Sequence, residues 1–263
     1  MSTDGTIRLE RDGGIAKLTL TRPEAANALN MPMAQALARA AIELDEDDSV
    51  RAVLLTGEGK MFCAGGDLGA MNEAGDGTAA YLKELTLHLH GAISRFARMR
   101  APIVTAVNGT AAGAGFSMMC ATEMAIASET AKFTMAYTGA GLSPDGSSTY
   151  FLPRIIGQRR TFELMLTNRV LNSAEALEWG LVNQVVPADE LMSTAEKLVE
   201  HLAAGPTASY GVVKRLLLNS TYDSLESQME HEARGIAASS RTADGREGIA
   251  AFLSKRLPEF VGE

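Results

Sequence analysis

From Ile7 to Leu20 the chain carries two short β-prone runs on either side of Arg11-Asp12-Gly13-Gly14. Glycines there supply the positive φ of a tight turn, so the pattern predicts a hairpin. Asn30 can accept a hydrogen bond from free N–H groups at a helix start, and the Ala-rich stretch from Met31 to about Asp45 supplies the helix. Val50 to Thr56 reads as a buried strand ending at Gly57. Between Thr78 and Arg100, Leu82, Leu85, Leu89, Ile93 and Phe96 recur at the spacing of one helical face. Pro102 separates this helix from the strand Ile103 to Val107.

Next, the small residues of Asn108 to Gly115 run into an apolar helix expected from about Phe116 to Ala121. Short strands, Met124 to Ala127 and Phe133 to Met135, lead to a second glycine-rich loop, Gly139 to Gly146. Beyond Arg160 the pattern is mainly helical, interrupted by Gly180, by the strand-like Leu181 to Val186 and by Gly205-Pro206. Alternating strands and helices predict an α/β fold, with a core over residues 1–205 and a helical region over 206–263. Neither a solenoid-type repeat nor a low-complexity segment is evident.

At 263 residues the chain suits one large α/β domain with a helical appendage. Hydrophobic residues make up 46% and aromatics 5%, a balance of Ala, Leu, Val and Met that fits a packed interior and argues against disorder. A formal net charge of −8 argues against nucleic acid as the main partner, because phosphate binding needs a basic surface. No apolar run approaches a membrane span and the N-terminus lacks a signal-peptide pattern, so the expected location is the cytoplasm. Cys63 and Cys120 lie far apart without metal-ligand spacing, which suggests neither a disulfide scaffold nor a zinc site.

Two segments could carry chemistry through backbone N–H groups. Met61-Phe62-Cys63-Ala64-Gly65-Gly66-Asp67-Leu68 follows a strand and has glycine where side chains would obstruct a ligand. Gly113-Ala114-Gly115 opens a helix, whose free N–H groups and dipole favour developing negative charge. Together two such loops make an oxyanion hole, in which each donor contributes about 3 kcal/mol to the transition state. Both strings also suit simple tight turns. There is no Gly-x-Ser-x-Gly elbow and no phosphate-loop lysine motif. His88 and His90 are two apart and diverge on a helix, which disfavours a zinc pair, and Arg154, Arg159 and Arg160 read as surface.

Four blocks taken in order, LTLTRPEAANALN (Leu18 to Asn30), FCAGGDL, NGTAAGAG and Gly157 to Val186 with its EALEWGLVNQVV run, resemble the enoyl-CoA hydratase/isomerase (crotonase) superfamily over nearly the whole chain. That resemblance implies a spiral of ββα repeats and a helical C-terminal region that assembles a homotrimer or a dimer of trimers. It implies an acyl-CoA substrate, with no cofactor beyond its coenzyme A moiety and no metal. Ala26, Ala28, Leu29, Ala64, Gly65, Gly66, Asp67 and Leu68 would hold coenzyme A, and the N–H groups of Gly66 and Ala114 would be the oxyanion donors.

Where hydratases of this superfamily carry two glutamates, this sequence has Ser117 and Tyr137, whose hydroxyls hold their protons too tightly to act as bases near neutral pH. Asp145 instead falls where single-aspartate isomerases, similar to the enzyme of the ring-opened phenylacetyl-CoA pathway, and aryl-CoA dehalogenases carry a functional aspartate. One carboxylate suffices for a 1,3-proton shift. The same Pro-Asp-Gly string also suits an Asx turn. His90 matches a dehalogenase position that activates water, yet it also reads as a pocket wall or solvated face. Isomerisation of an enoyl-CoA is thus the expected activity, with hydration, aryl-CoA dehalogenation and non-catalytic acyl-CoA binding as alternatives, and Ser117, Tyr137 and His90 as further pocket residues.

Overall fold

A computed structural model describes residues 5–263 and the backbone of Ser2 and Thr3. Strand β1 (Ser2–Thr3) pairs antiparallel with β2 (Ile7–Asp12), which turns through Gly13 at φ +56° into β3 (Ile15–Leu20) as the expected hairpin. Asn30 caps α1 (Met31–Glu46), its side chain accepting from the Met33 N–H at 3.1 Å. Such a cap stabilises a helix by about 1 kcal/mol.

Three strand pairs then follow one plan. β4 (Ala52–Gly57) is succeeded by β5 (Met61–Cys63), α2 (Leu68–Glu73) and α3 (Thr78–Phe96). β6 (Ile103–Val107) is succeeded by β7 (Thr110–Ala112) and α4 (Gly113–Cys120). β8 (Met124–Ser128) is succeeded by β9 (Lys132–Thr134) and, after a loop, by α5 (Ser148–Ile156) and α6 (Gln158–Thr167). β10 (Leu171–Asn172), α7 (Ser173–Glu178), β11 (Gln184–Val186) and α8 (Leu191–Ala203) complete the core.

In each pair the first strand joins a seven-stranded sheet ordered β1-β2-β3-β4-β6-β8-β11, and the second joins a four-stranded sheet ordered β10-β9-β7-β5. The chain therefore advances as a spiral of ββα units. Every residue of β4 and β6 is buried, as parallel strands covered on both faces require. Alternation decides the two faces: Val53 and Leu55 enter the main core with α1 and α3, whereas Ala52 and Leu54 meet Leu191, Ala195 and Val199 of α8.

Several boundaries differ from the sequence reading. α4 starts at Gly113, three residues before Phe116, because backbone flanked by small residues can enter a crowded helix start. α3 ends at Phe96 instead of reaching Arg100, and only Gln184–Val186 of the strand-like Leu181 to Val186 pairs, with β8.

Three helices close the chain: α9 (Thr207–Asn219), α10 (Leu225–Ser239) and α11 (Ala243–Leu253). α9 is pinned by Lys214, whose buried ammonium donates to the carbonyls of Phe96 at 2.8 Å and Ala101 at 3.0 Å and pairs with Glu123 at 3.2 Å. Arg51 at the head of β4 donates to the carbonyls of Gly205 and Phe260, so the last residues fold back onto the core. Among the described residues no helix is long and apolar enough to cross a membrane.

Candidate active site

Asn27, fully buried at φ +53°, organises the first of two facing loops. Its side-chain amide donates to the carbonyls of Glu58 and Met61, both at 2.9 Å, and its oxygen accepts from the Arg22 N–H. The Ala26–Leu29 segment is thereby pressed against Ala64–Asp67. Ala64 N–H donates to Ala26 O, Leu29 N–H to Gly65 O at 2.7 Å, and Asp67 N–H to Leu29 O. In that short parallel bridge Gly65 and Asp67 supply the bonds to Leu29, so the N–H of Gly66 faces the other way, toward the cavity.

Gly65 lies at φ +99°, and a Cβ there would come within 3.0 Å of Ala112 O and 3.4 Å of Ala114 N. Glycine is what lets the two loops touch. Across that contact, Ala114 occupies the first turn of α4, where an N–H has no intrahelical acceptor. The predicted donors Gly66 and Ala114 thus face one apolar cavity of about 130 Å³. Leu29, Ala64, Gly65 and Leu68 line it as well, whereas Ala26, Ala28 and Asp67 are not among its lining residues. Asp67 caps α2 through the Ala70 N–H and pairs with Arg22 at 3.1 Å, joining the two predicted coenzyme A segments.

Asp145 reaches the same cavity from the loop before α5. The Asx-turn alternative does not describe it, because the turn is held by the Asp145 carbonyl, which accepts from the Ser148 and Tyr137 hydroxyls at 3.0 and 3.2 Å. Its carboxyl is left for other partners and keeps 29% exposure. One oxygen sits 2.6 Å from His90 Nε2. His90, half exposed, lines a second cavity of about 570 Å³ that also reaches Asp145.

Tyr137 is part of the inner cavity wall, as expected, but Ser117 is not. It is completely buried beneath Gly146, where a Cβ would meet Ser117 Cβ at 2.9 Å, and it bonds to Tyr137 Oη at 3.0 Å and to Gly113 O. Burial pushes the Tyr137 phenol well above its ordinary value. Cys63, buried against Gly115, is likewise pushed up by burial, to about 11, and is no thiolate at neutral pH.

Some lining residues were invisible as such in the sequence. Leu82, Leu85 and Leu89 read as core spacing, and their stripe is indeed apolar, yet part of it faces the cavity. Met71 closes another side; its Cε would lie 2.5 Å from a Cβ on Gly66. His88 lies outside both cavities.

Residues 10–263 match the pattern of the Enoyl-CoA hydratase/isomerase family. The chain belongs to that family. As a member of the enoyl-CoA hydratase/isomerase family it is 39% identical, over 95% of its length and 96% of the relative's, to 1,2-epoxyphenylacetyl-CoA isomerase of Escherichia coli K12. It is 36% identical, over 97% of its length and 93% of the relative's, to 4-chlorobenzoyl coenzyme A dehalogenase-2 of Arthrobacter sp.. A crystal structure of an enoyl-CoA hydratase from Polaromonas sp. JS666 superimposes with a TM-score of 0.91 at 32% identity, covering 96% of this chain and 98% of that one. Family membership therefore fixes the ββα spiral and acyl-CoA chemistry, while these relatives carry three different reaction names.

Proposed function

We propose that this protein isomerises an enoyl-CoA, moving a carbon–carbon double bond relative to the thioester by proton transfer through Asp145. The observation that carries the reading is the placement of the Asp145 carboxyl on the same apolar cavity as the Gly66 and Ala114 N–H groups. With the thioester oxygen between those two donors, the carboxylate removes a proton from the acyl chain. The C–H electron pair moves into an enolate held by the donors, and Asp145 returns a proton to a different carbon. No electron is gained or lost, so coenzyme A on the substrate is the only accompanying group the reaction needs, and no metal is required. Ala26, Ala28, Leu29, Ala64, Gly65, Gly66, Asp67 and Leu68 are proposed to hold the coenzyme A moiety through their backbone and the Arg22–Asp67 brace.

Hydration fits less well. Ser117 and Tyr137 stand where the hydratase glutamates would, and their hydroxyls are bonded to each other and to backbone carbonyls. With the Tyr137 phenol pushed up by burial, neither activates water.

Mass-resolved product analysis of 3-enoyl-CoA and 2-enoyl-CoA panels tests the reading. Asp145→Asn is expected to lower isomerisation by about 10²- to 10⁴-fold, the usual contribution of a general acid–base group. Isomerisation at the wild-type rate in this variant, or water addition by the wild type that survives it, would refute the assignment.

A second reading has its own observation. The 2.6 Å bond between His90 and Asp145 suits a pair in which the carboxylate attacks an aryl carbon and the imidazole activates water against the aspartyl intermediate. Similarity to the Arthrobacter dehalogenase supports it. Halide release and a covalent mass increase on Asp145 with a halogenated aryl-CoA would establish it in place of isomerisation.

We further propose a homotrimer or a dimer of trimers, built on the apolar residues that α9 to α11 leave exposed, among them Leu217, Ile236 and Phe252. Its proposed location is the cytoplasm, which suits two buried cysteines that remain free thiols.

A further inference from the structure

Asp145 lines two cavities, the apolar one of about 130 Å³ that holds the Gly66 and Ala114 loops and an open one of about 570 Å³ beside it. An acyl group that outgrows the first has room for its far end in the second. One stripe of α3, with the turn that continues it, walls the outer cavity: His90, Ile93, Ser94, Ala97 and Arg98 recur at intervals of three and four. The Ala97 and Met99 N–H groups still donate to Ile93 O and Arg95 O, so Arg98 keeps its place on that stripe beyond the end of α3 at Phe96. The stripe therefore runs from His90, bonded to Asp145, to a guanidinium at its far end.

Arg98 is exposed, yet its side chain is tied down. Nη1 donates to Ser94 O at 3.1 Å and to Ser94 Oγ at 2.9 Å. Those bonds draw the guanidinium back one turn, to the level of Ser94, which is about 6 Å along the helix axis from His90. They use a single nitrogen. The edge formed by Nε and Nη2, which can take a carboxylate side-on through two parallel N–H bonds, has no partner among the described residues. Arg95 and Arg100 nearby in the chain are instead paired, with Asp45 at 3.3 Å and Asp48 at 2.7 Å. The cavity itself supplies no carboxylate for that edge: among the described residues that line it Asp145 is the one acid, and its Oδ1 is held by His90 at 2.6 Å.

We infer that the outer cavity is a subsite for the far end of the acyl group, and that Arg98 selects acyl-CoA substrates ending in a carboxylate. The inference rests on the isomerase reading above, which sets the thioester at Gly66 and Ala114 and the reacting carbon beside Asp145. Beyond that carbon the chain enters the outer cavity, where Ile93, Ala97, Phe151 and Leu218 offer its methylenes an apolar surface. Its terminal carboxylate then meets the Nε–Nη2 edge of Arg98. At about 1.2 Å per bond for an extended chain, the span from the His90 turn to the Ser94 turn places that carboxylate about five carbons past the one facing Asp145. A methyl-ended chain of the same length leaves the guanidinium in water and gains nothing from it.

Two matched pairs of ligands test the subsite. The mono-CoA ester of decanedioic acid and decanoyl-CoA, which are saturated and cannot be isomerised, are compared by titration calorimetry. The mono-CoA ester of 3-decenedioic acid and 3-decenoyl-CoA are compared by isomerisation rate. Wild type is expected to favour the carboxylate-ended member of each pair at least about fivefold, in Kd and in kcat/KM, the scale of a two-bonded ion pair at an accessible site. Added salt is expected to shrink that preference. Arg98→Gln should abolish both preferences, while Arg98→Lys keeps part of each, because a point charge replaces the fork. Equal affinity of wild type for the two saturated esters would overturn the subsite, as would a preference that survives Arg98→Gln. A preference in binding that Arg98→Gln removes, with no double bond moved in either unsaturated ester, would support the subsite and overturn the isomerase reading instead.

Discussion

Ser117 and Tyr137, the two residues that the family resemblance sets against the glutamates of a hydratase, form a hydrogen-bonded strut. Ser117 is anchored to Gly113 O at the mouth of α4, and Tyr137 holds the carbonyl of Asp145. The strut thus couples an oxyanion loop to the proposed proton carrier. Ser117→Ala and Tyr137→Phe are each expected to cost about 1 kcal/mol of stability, the net worth of one hydrogen bond. Because they share one bond, the double variant should cost less than the sum, with a coupling of about 0.5–1 kcal/mol in urea denaturation. Additive costs would show that the strut does not act as a unit. The meeting of Gly66, Ala114 and Asp145 at one cavity was legible in the sequence through the family resemblance. The His90 bond was not legible, because the exposure pattern of a helix carries no information about a loop fifty-five residues further along the chain.

At the scale of elements, periodicity found the hairpin, α1, β4 and the apolar stripe of α3, since each shows its own burial pattern. It could not show that consecutive strands such as β4 and β5 enter different sheets, because both are simply short and apolar. Nor could it place the start of α4 at Gly113, where glycine propensity favours a loop and close contact with Gly65 decides otherwise. The chain's last turn is an element held by charge: Glu247 receives both guanidinium nitrogens of Arg256, at 2.5 and 2.8 Å, and the Glu259 N–H at 2.9 Å. The Arg256 bonds first, and then the Glu259 N–H, draw the Glu247 carboxyl down to about 2. A folded value below the unfolded one means that the clamp's contribution is complete above the ordinary carboxylate range, begins to fall below about pH 4.5 and is lost as pH passes through about 2. Amide hydrogen exchange of Glu259 is expected to speed up across that window in wild type. In Glu247→Gln it should already be fast at neutral pH. Exchange that is independent of pH in wild type, after correction for intrinsic rates, would show that the clamp does not hold the tail.

For the molecule as a whole, the distribution of apolar surface is uneven. The spiral core buries its leucines and valines on both faces of the large sheet, while α10 has no buried residue, and Ile236, Phe252, Leu253 and Leu257 are all more than seven-tenths exposed. Large apolar side chains left in water along one stretch of the chain are the surface that the proposed assembly would cover. Assembly would also bear on the reaction. The end of α9 and the turn after it contribute Asn219 and Tyr222 to the outer cavity, and Tyr150 joins them to α5 by stacking on Tyr222 and donating to Leu218 O. Fixing α9 and α10 in an oligomer would therefore fix one wall of the outer cavity that Asp145 and His90 also line. Phe252→Asp would place a charge on the most exposed aromatic ring of α11. Sedimentation should then show the assembly dissociating with a constant raised at least tenfold, equivalent to about 1.4 kcal/mol. Because the Gly66 and Ala114 loops, Asp145 and His90 all come from the core, the proposed isomerisation should persist in the dissociated form, with its rate lowered by loosening of that outer wall. An assembly unchanged by Phe252→Asp would mean that subunits meet elsewhere. Dissociation with full activity would mean that the wall is rigid without its neighbours.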